Sequence, residues 1–174
     1  WHCRNAKLRG VQAEHGDSLF MHGENIDVDG FRLNGNYSFQ YCRNVVIRNA
    51  EIHSKDAFWN TEDVTVYDSV VDGEYLGWHS RNLRLVNCRI SGTQALCYAE
   101  NLVLENCTLG EDADLCFEYS SVHAEIKGRV HSVKNPRSGR IVAEEYGDII
   151  LDEHCKAPAN CSIETGKKQS GEAA

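Results

Sequence analysis

The sequence predicts an all-β protein, a single-stranded right-handed parallel β-helix of about seven rungs, each built from three short strands. A nine-residue phrase recurs at a constant spacing, with starts at Asn44, Asp63, Asn82 and Asn101. Its apolar and polar residues alternate, which puts every second side chain on one face of a strand. No stretch of the chain shows the apolar periodicity of a helix. A short period made of strands is typical of turns that stack as parallel strands, whose crossovers are right-handed.

The first two strands of each rung show the same alternation. Earlier copies of the phrase begin at Asn25 and Asn5, and the pattern weakens after Ser121. Alternate apolar residues are expected to face the interior. In the first strand they are Ala6/Leu8, Ile26/Val28, Val45/Ile47, Val64/Val66, Leu83/Leu85 and Leu102/Leu104. In the second strand they are Val11/Ala13, Phe31/Leu33, Ala50/Ile52, Ser69/Val71, Cys88/Ile90 and Cys107/Leu109.

The third strand of the rung is predicted from segments such as Phe58-Trp59-Asn60 and Leu96-Cys97-Tyr98. Apolar residues occupy both parities there, so alternation does not decide which side chains face inward. The direction of the aromatic residues in these segments stays open at the level of sequence.

Asn and Asp recur at two positions of the repeat, in the columns that contain Asn44 and Asn49. Both columns fall at strand starts or corners, where Asn tolerates a positive φ and makes local hydrogen bonds. Amides stacked rung on rung also pair with each other. We therefore interpret these columns as structural.

Two other solenoids fit less well. A leucine-rich repeat places its Asn at a different position and needs a longer unit for its helix. A pentapeptide-repeat helix has a five-residue beat, which the spacing between Asn82 and Asn87 echoes but which does not continue along the chain.

One solenoid domain is expected over residues 1–163, followed by a polar flexible tail over 164–174. Trp1 falls in the same column as Trp59, so the chain opens partway through a rung. We expect earlier rungs in the parent protein, or a partner covering Trp1 to Leu19, because an uncovered first rung exposes strand edges.

Composition excludes several function classes. The formal net charge of −8 disfavours nucleic acid, which needs Lys and Arg to neutralise phosphates. No run approaches the ~18 apolar residues of a membrane helix. Among the eight cysteines, Cys88 and Cys107 share a column, as do Cys97 and Cys116. Neighbouring rungs about 4.8 Å apart allow a disulfide, but reduced buried thiols are the favoured interpretation, and with them a cytoplasmic location.

Several phrases resemble a known family, among them Lys55-Asp-Ala-Phe-Trp59, Gly73-Glu-Tyr-Leu-Gly-Trp78 and Ser132-Val-Lys-Asn-Pro-Arg-Ser-Gly139. Over residues 1–152 the chain is similar to the C-terminal part of an uncharacterised bacterial family of right-handed β-helix proteins with a pectate-lyase-like solenoid. The resemblance implies a fold and no established activity, so it carries over no functional residues.

Two groups of residues are candidates for function. His53, Asp72 and Glu74 concentrate polar groups near one corner, where a hydrolase would need paired carboxylates. A second group forms a column that, if outward, could stack sugars or meet a protein. Its members are Tyr41, Asn60, His79 and Tyr98. No phosphate loop, nucleophile elbow or metal-ligand array is present, so no cofactor or metal is expected.

Two functions from different classes follow. The first is a non-catalytic scaffold that binds a protein partner or its own copy through the third-strand face. The second is a carbohydrate-binding or carbohydrate-active protein of the polysaccharide lyase or hydrolase type, an analogy at the level of fold. The most informative single observation is the direction in which Trp59, Trp78, Tyr41 and Tyr98 point.

Overall fold

The computed structural model describes residues 1–155 and 158–166, which form fourteen strands and one short 3₁₀ turn at Pro158–Asn160. No helix in these two ranges is long and apolar enough to cross a membrane. In chain order the strands are β1 (Arg4–Arg9), β2 (Gln12–Glu14), β3 (Glu24–Asp29), β4 (Arg32–Asn36), β5 (Arg43–Arg48), β6 (Glu51–Lys55), β7 (Glu62–Tyr67), β8 (Val70–Asp72), β9 (Arg81–Val86), β10 (Arg89–Ser91), β11 (Leu102–Leu109), β12 (Ser121–Lys134), β13 (Ser138–Ile150) and β14 (Cys161–Thr165).

Strands of successive turns pair in parallel and form two ladders. The odd-numbered strands β1 to β11 make one ladder, and the even-numbered strands β2 to β10 make the other. Strand β11 belongs to both because it continues around the corner. The register follows the repeat, with Val45 beside Val64 and Ile52 beside Val71. The predicted all-β parallel solenoid is confirmed.

The solenoid has about eight turns rather than about seven. The difference lies at the C-terminal end, where the regular spacing of the sequence repeat is lost but the coil continues. Strand β12 pairs in parallel with β11 and β13, and β13 pairs with β14. The parallel hydrogen bonding between neighbouring turns therefore continues beyond the residues in which the sequence repeat is regular. The predicted tail begins inside β14, at Glu164, and residues 167–174 lie outside the described part of the chain.

The interior is built from the alternate positions of the first two strands. In the first strands of the second to sixth turns, both predicted apolar side chains are at most 2% exposed, as for Val64 and Val66. In the first turn Ala6, Leu8 and Ala13 are only partly buried. Alternation thus identifies the interior face of both ladders, except at Val11 in the first turn, which is 38% exposed.

The third segment of the rung is not a strand in the second to fifth turns, which corrects the three-strand prediction. These segments are turns in which every second residue has a positive φ, for example Tyr37 (59°), Phe39 (56°) and Tyr41 (56°). Each φ of this kind costs a residue with a side chain roughly 1–2 kcal/mol. Hydrogen bonds to neighbouring turns hold the segment in place: Phe39 N–H donates to Leu19 O at 2.8 Å, and Tyr41 N–H donates to Trp59 O at 2.8 Å.

The turn segments complete the core with a stack of phenylalanines. Phe39 and Phe58 are fully buried, with ring centroids 5.5 Å apart, and Phe20 stacks on Phe39 at 5.0 Å. Leu96 and Phe117 occupy the corresponding buried positions further along the coil. The residues two positions later are more exposed, as at Tyr41 and Asn60.

The Asn and Asp columns lie at the corners, and their side chains hydrogen-bond between turns. In the first column Asn25 Nδ2 donates to Asn5 Oδ1 at 3.0 Å, and Asn44 Nδ2 donates to Asn25 Oδ1 at 2.7 Å. Asn82 Nδ2 donates to Asp63 Oδ1 at 2.8 Å. All of these residues have φ between 50° and 56°, which Asn and Asp tolerate better than most residues.

Candidate functional site

The outward side of the turn segments, here called the turn face, carries one column of mostly aromatic side chains. Its members share an outward position and a positive φ, and we call them the ring column. They are His2, His22, Tyr41, Asn60, His79, Tyr98 and Tyr119. Three of the four residues that the sequence predicts for binding bear rings in this column, and the fourth is Asn60.

The N-terminal half of the ring column is a face-to-face stack. The rings of His2 and His22 are 5.0 Å apart and tilted by 7°, and those of His22 and Tyr41 are 4.8 Å apart and tilted by 17°. Both separations match the rung spacing of about 4.8 Å. Tyr41 is 44% exposed, so the stack presents ring edges to solvent.

The C-terminal half contains a second stack. His79 and Tyr98 are 5.0 Å apart and tilted by 24°, and Tyr119 lies 5.6 Å from Tyr98. Burial, and then the Glu118 carboxylate, raise the pKa of the Tyr98 hydroxyl. Glu118 itself is nearly buried and pairs with Lys134 at 3.0 Å. This end of the column is therefore more enclosed than the end at Tyr41.

Two tryptophans flank the C-terminal stack. Trp59 and Trp78 are half-buried, 5.4 Å apart, and lie 5.5 Å from His79 and 4.9 Å from Tyr98 respectively. The indole N–H of Trp78 donates to Gln94 O at 2.6 Å, which holds that ring in place. The sequence leaves open the direction of the aromatic side chains in the third segment. In the structure, phenylalanines fill the core, and these tryptophans and tyrosines lie on the turn face.

Asn60 interrupts the ring column. It is exposed, its backbone N–H donates to Trp78 O at 2.9 Å, and its φ is 52°. Within residues 1–155 and 158–166 its side-chain amide has no hydrogen-bond partner. The ring column is therefore two stacks separated by one short polar side chain.

The second candidate group lies on the outward side of the second ladder. His53 Nδ1 is 3.1 Å from Asp72 Oδ2, and His53 Nε2 is 3.1 Å from Glu51 Oε1. Ser91 Oγ donates to the other Asp72 oxygen at 2.9 Å. The hydrogen bonds to Glu51 first, and to Asp72 second, raise the pKa of the His53 imidazole.

Glu74, the third residue of the predicted catalytic group, does not join this cluster. Its carboxylate pairs with Lys55 Nζ at 3.5 Å, and that ion pair raises the pKa of Lys55. Both nitrogens of His53 lie within hydrogen-bond distance of carboxylates, so ion pairs hold the imidazole in this structure. We interpret the group as cross-turn ion pairing on a solvated face.

Residues 1–164 match a family described as a protein of unknown function, DUF3737. The chain belongs to the DUF3737 family. No curated protein matches it. Membership of DUF3737 brings no named activity, because the description of the family gives none.

Sequence reasoning about this DUF3737 chain missed three members of the ring column. His2 and His22 continue the column of Tyr41 backwards at the spacing of the repeat, a signal that is visible in the sequence. Tyr119 follows Tyr98 at a longer spacing, because the turn lengthens there, so the repeat does not predict it.

The two tryptophans beside the ring column also escape sequence reasoning. Trp59 and Trp78 lie one residue before Asn60 and His79, at the opposite parity. In an extended strand they would point away from the column. Only the turn conformation brings them beside it.

Proposed function

We infer that the protein is a non-catalytic β-solenoid scaffold whose turn face binds another protein, in the simplest case a second copy of the chain. The observation that carries this proposal is the alignment of stacked, partly exposed rings along one face. Aromatic side chains dominate the energetics of protein interfaces, and exposed apolar surface of this kind marks interaction sites.

The arrangement of the polar residues supports a non-catalytic role. The carboxylates near His53 are tied to the imidazole, to Ser91 and to Lys55. A lyase or hydrolase of the polysaccharide type needs a carboxylate or a base that is free to exchange a proton with substrate. The pectate-lyase-like character implied by the resemblance remains part of this proposal, supported by the parallel stacking of the turns, and the bacterial origin rests on the resemblance alone.

A second copy suits the turn face because the face is periodic. Each copy presents ring edges about 4.8 Å apart, so two antiparallel copies related by a two-fold axis have matching spacings. Ring edges of one copy then lie between those of the other over several turns. A partner with a different periodicity makes fewer such contacts.

Light scattering coupled to size exclusion tests the proposal. We expect the wild-type chain to approach twice its mass of 19.6 kDa as its concentration rises. Replacing Tyr98 by Ser should shift this equilibrium towards the monomer, because it removes a ring from the middle of the C-terminal stack.

Val70→Ser is the matched control, since Val70 is 37% exposed but lies on the second ladder. It should leave the equilibrium unchanged. A chain that stays monomeric at every concentration, or that responds equally to both variants, would exclude self-association through the turn face.

A further inference from the structure

Asn60 is the one member of the ring column, within the described chain, whose side chain bears no ring. Elsewhere in the column each ring lies against its neighbour, at centroid separations of 4.8–5.6 Å. A ring stacked in this way presents mainly its edge to a ligand. Tyr41 stacks on His22 on one side, and within the described chain no ring lies against its other face.

This free face opens on a notch, which we define by Tyr41 on one side, Trp59 and His79 on the other, and Asn60 at its base. Tyr41 and His79 are two turns apart, and two rung spacings amount to about 10 Å. Trp59 is packed towards His79, 5.5 Å away and tilted by 55°, rather than towards Tyr41.

The free face of Tyr41 suits a saturated ring. A flat aromatic ligand stacks best between two parallel rings, and the Trp59 indole is tilted by 55° to the His79 ring rather than parallel to it. A pyranose chair has a C–H face that packs on a single aromatic face, while its hydroxyl groups point sideways towards hydrogen-bonding groups.

The polar groups at the notch complement such a ring. The Asn60 amide has both a donor and an acceptor to offer, and it makes no hydrogen bond to the described residues. The Tyr41 hydroxyl and the His79 imidazole add hydrogen-bonding groups at the rim. Tyr41, Trp59 and Asn60 are uncharged, and the chain carries a net charge of −8, which together favour a neutral sugar over an acidic one.

We propose that the notch at Asn60 binds one pyranose ring of a neutral saccharide, sandwiched between Tyr41 and the Trp59–His79 pair and hydrogen-bonded to the Asn60 amide. This site goes beyond the proposed scaffold function and rests on a different observation, the gap in the column. Since it lies in the same face, a bound saccharide competes with a second copy of the chain.

Tryptophan fluorescence tests the proposal directly because Trp59 lines the notch. The wild-type chain is titrated with the methyl glycosides and short neutral oligosaccharides of glucose, galactose, mannose and N-acetylglucosamine, at low protein concentration where mass action favours the monomer. At least one sugar should change the emission saturably. Asn60→Phe should weaken that binding at least tenfold, because it fills the gap with a ring, and Phe39 and Phe58 show that Phe is compatible with a positive φ.

Tyr41→Ala should also weaken binding by about tenfold, the scale of one aromatic contact. Tyr37→Ala is the matched control: Tyr37 is similarly exposed at 41%, has φ 59°, lies in the same turn segment and is outside the column. It should bind as wild type does. Asn60→Asp changes the amide with little change in shape and should also weaken binding, because a carboxylate cannot donate to the sugar.

Three results would overturn the saccharide site: no sugar in the panel binds, Asn60→Phe binds as tightly as wild type, or a flat aromatic probe such as adenosine binds while the sugars do not. The scaffold proposal fails separately. A monomeric chain that binds sugar at the notch overturns self-association alone, and a self-associating chain that binds none overturns the notch alone.

Discussion

Substitutions of Asn82 measure what the corner amides contribute to stability. Asn82 Nδ2 donates to Asp63 Oδ1 at 2.8 Å, and its own Oδ1 accepts from Asn101 Nδ2 at 3.1 Å. Replacement by Gly removes both bonds while still allowing the φ of 55°. Each bond contributes about 0.5–1.5 kcal/mol, and exposure favours the lower end, so Asn82→Gly should lower the free energy of unfolding by about 1 kcal/mol.

Two further substitutions at this position separate the physical terms. Asn82→Ala should cost about 1 kcal/mol more than Asn82→Gly, because Ala also bears the strain of a left-handed backbone. Asn82→Asp can accept from Asn101 but cannot donate to Asp63, and it places two carboxylates side by side. At pH 7 that repulsion is worth about 1 kcal/mol in water.

Asn60 provides the matched control for this series. Asn60 is exposed and has φ 52°, but its side-chain amide has no hydrogen-bond partner in the described chain. Asn60→Gly should therefore lower the free energy of unfolding only by the change in backbone entropy, which both Gly substitutions share. Urea unfolding followed by circular dichroism and by tryptophan fluorescence gives the free energies, provided that the two transitions coincide. Equal costs for Asn82→Gly and Asn60→Gly would refute the assignment of stability to the corner hydrogen bonds.

Three other predictions concern the core, the thiols and pH. Phe58→Ala should lower the free energy of unfolding by about 3–5 kcal/mol, because it empties a fully buried site in the phenylalanine stack; a cost no larger than that of a surface substitution in urea unfolding would contradict the packing. Burial raises the pKa of both the Cys42 and the Cys97 thiol to about 12. A thiol reagent at pH 8 should therefore modify these two cysteines only after unfolding. Rapid labelling of either cysteine in the native protein would count against its burial. His53 has a raised pKa in the folded state, so its contribution is full below the unfolded pKa of 6.5 and is lost as pH rises through the folded value. His53→Gln should therefore destabilise by about 0.5–1 kcal/mol at pH 5.5 and by much less at pH 9, and a pH-independent effect would argue against the ion pairs.

The candidate site was only partly predictable from the sequence. The repeat aligns Tyr41, Asn60, His79 and Tyr98 in one column, and the structure places them in one column on the turn face. Of the residues proposed as a catalytic group, His53 and Asp72 meet, whereas Glu74 pairs with Lys55. Asp72 and Glu74 lie on either side of Gly73 at a corner of the coil. The backbone conformation at that corner determines the directions of the two carboxylates, and their spacing in the sequence does not.

The sequence alone determined the period, the parallel stacking and the interior face of the first two strands. A strand has one side-chain direction per parity, so alternation at Val45, Ile47, Val64 and Val66 identifies the buried side without any knowledge of neighbours. Only the tertiary structure decided the third segment. There, positive φ at every second residue removes the simple link between parity and direction, and hydrogen bonds to the turns on either side select which rings enter the core and which stack on the turn face.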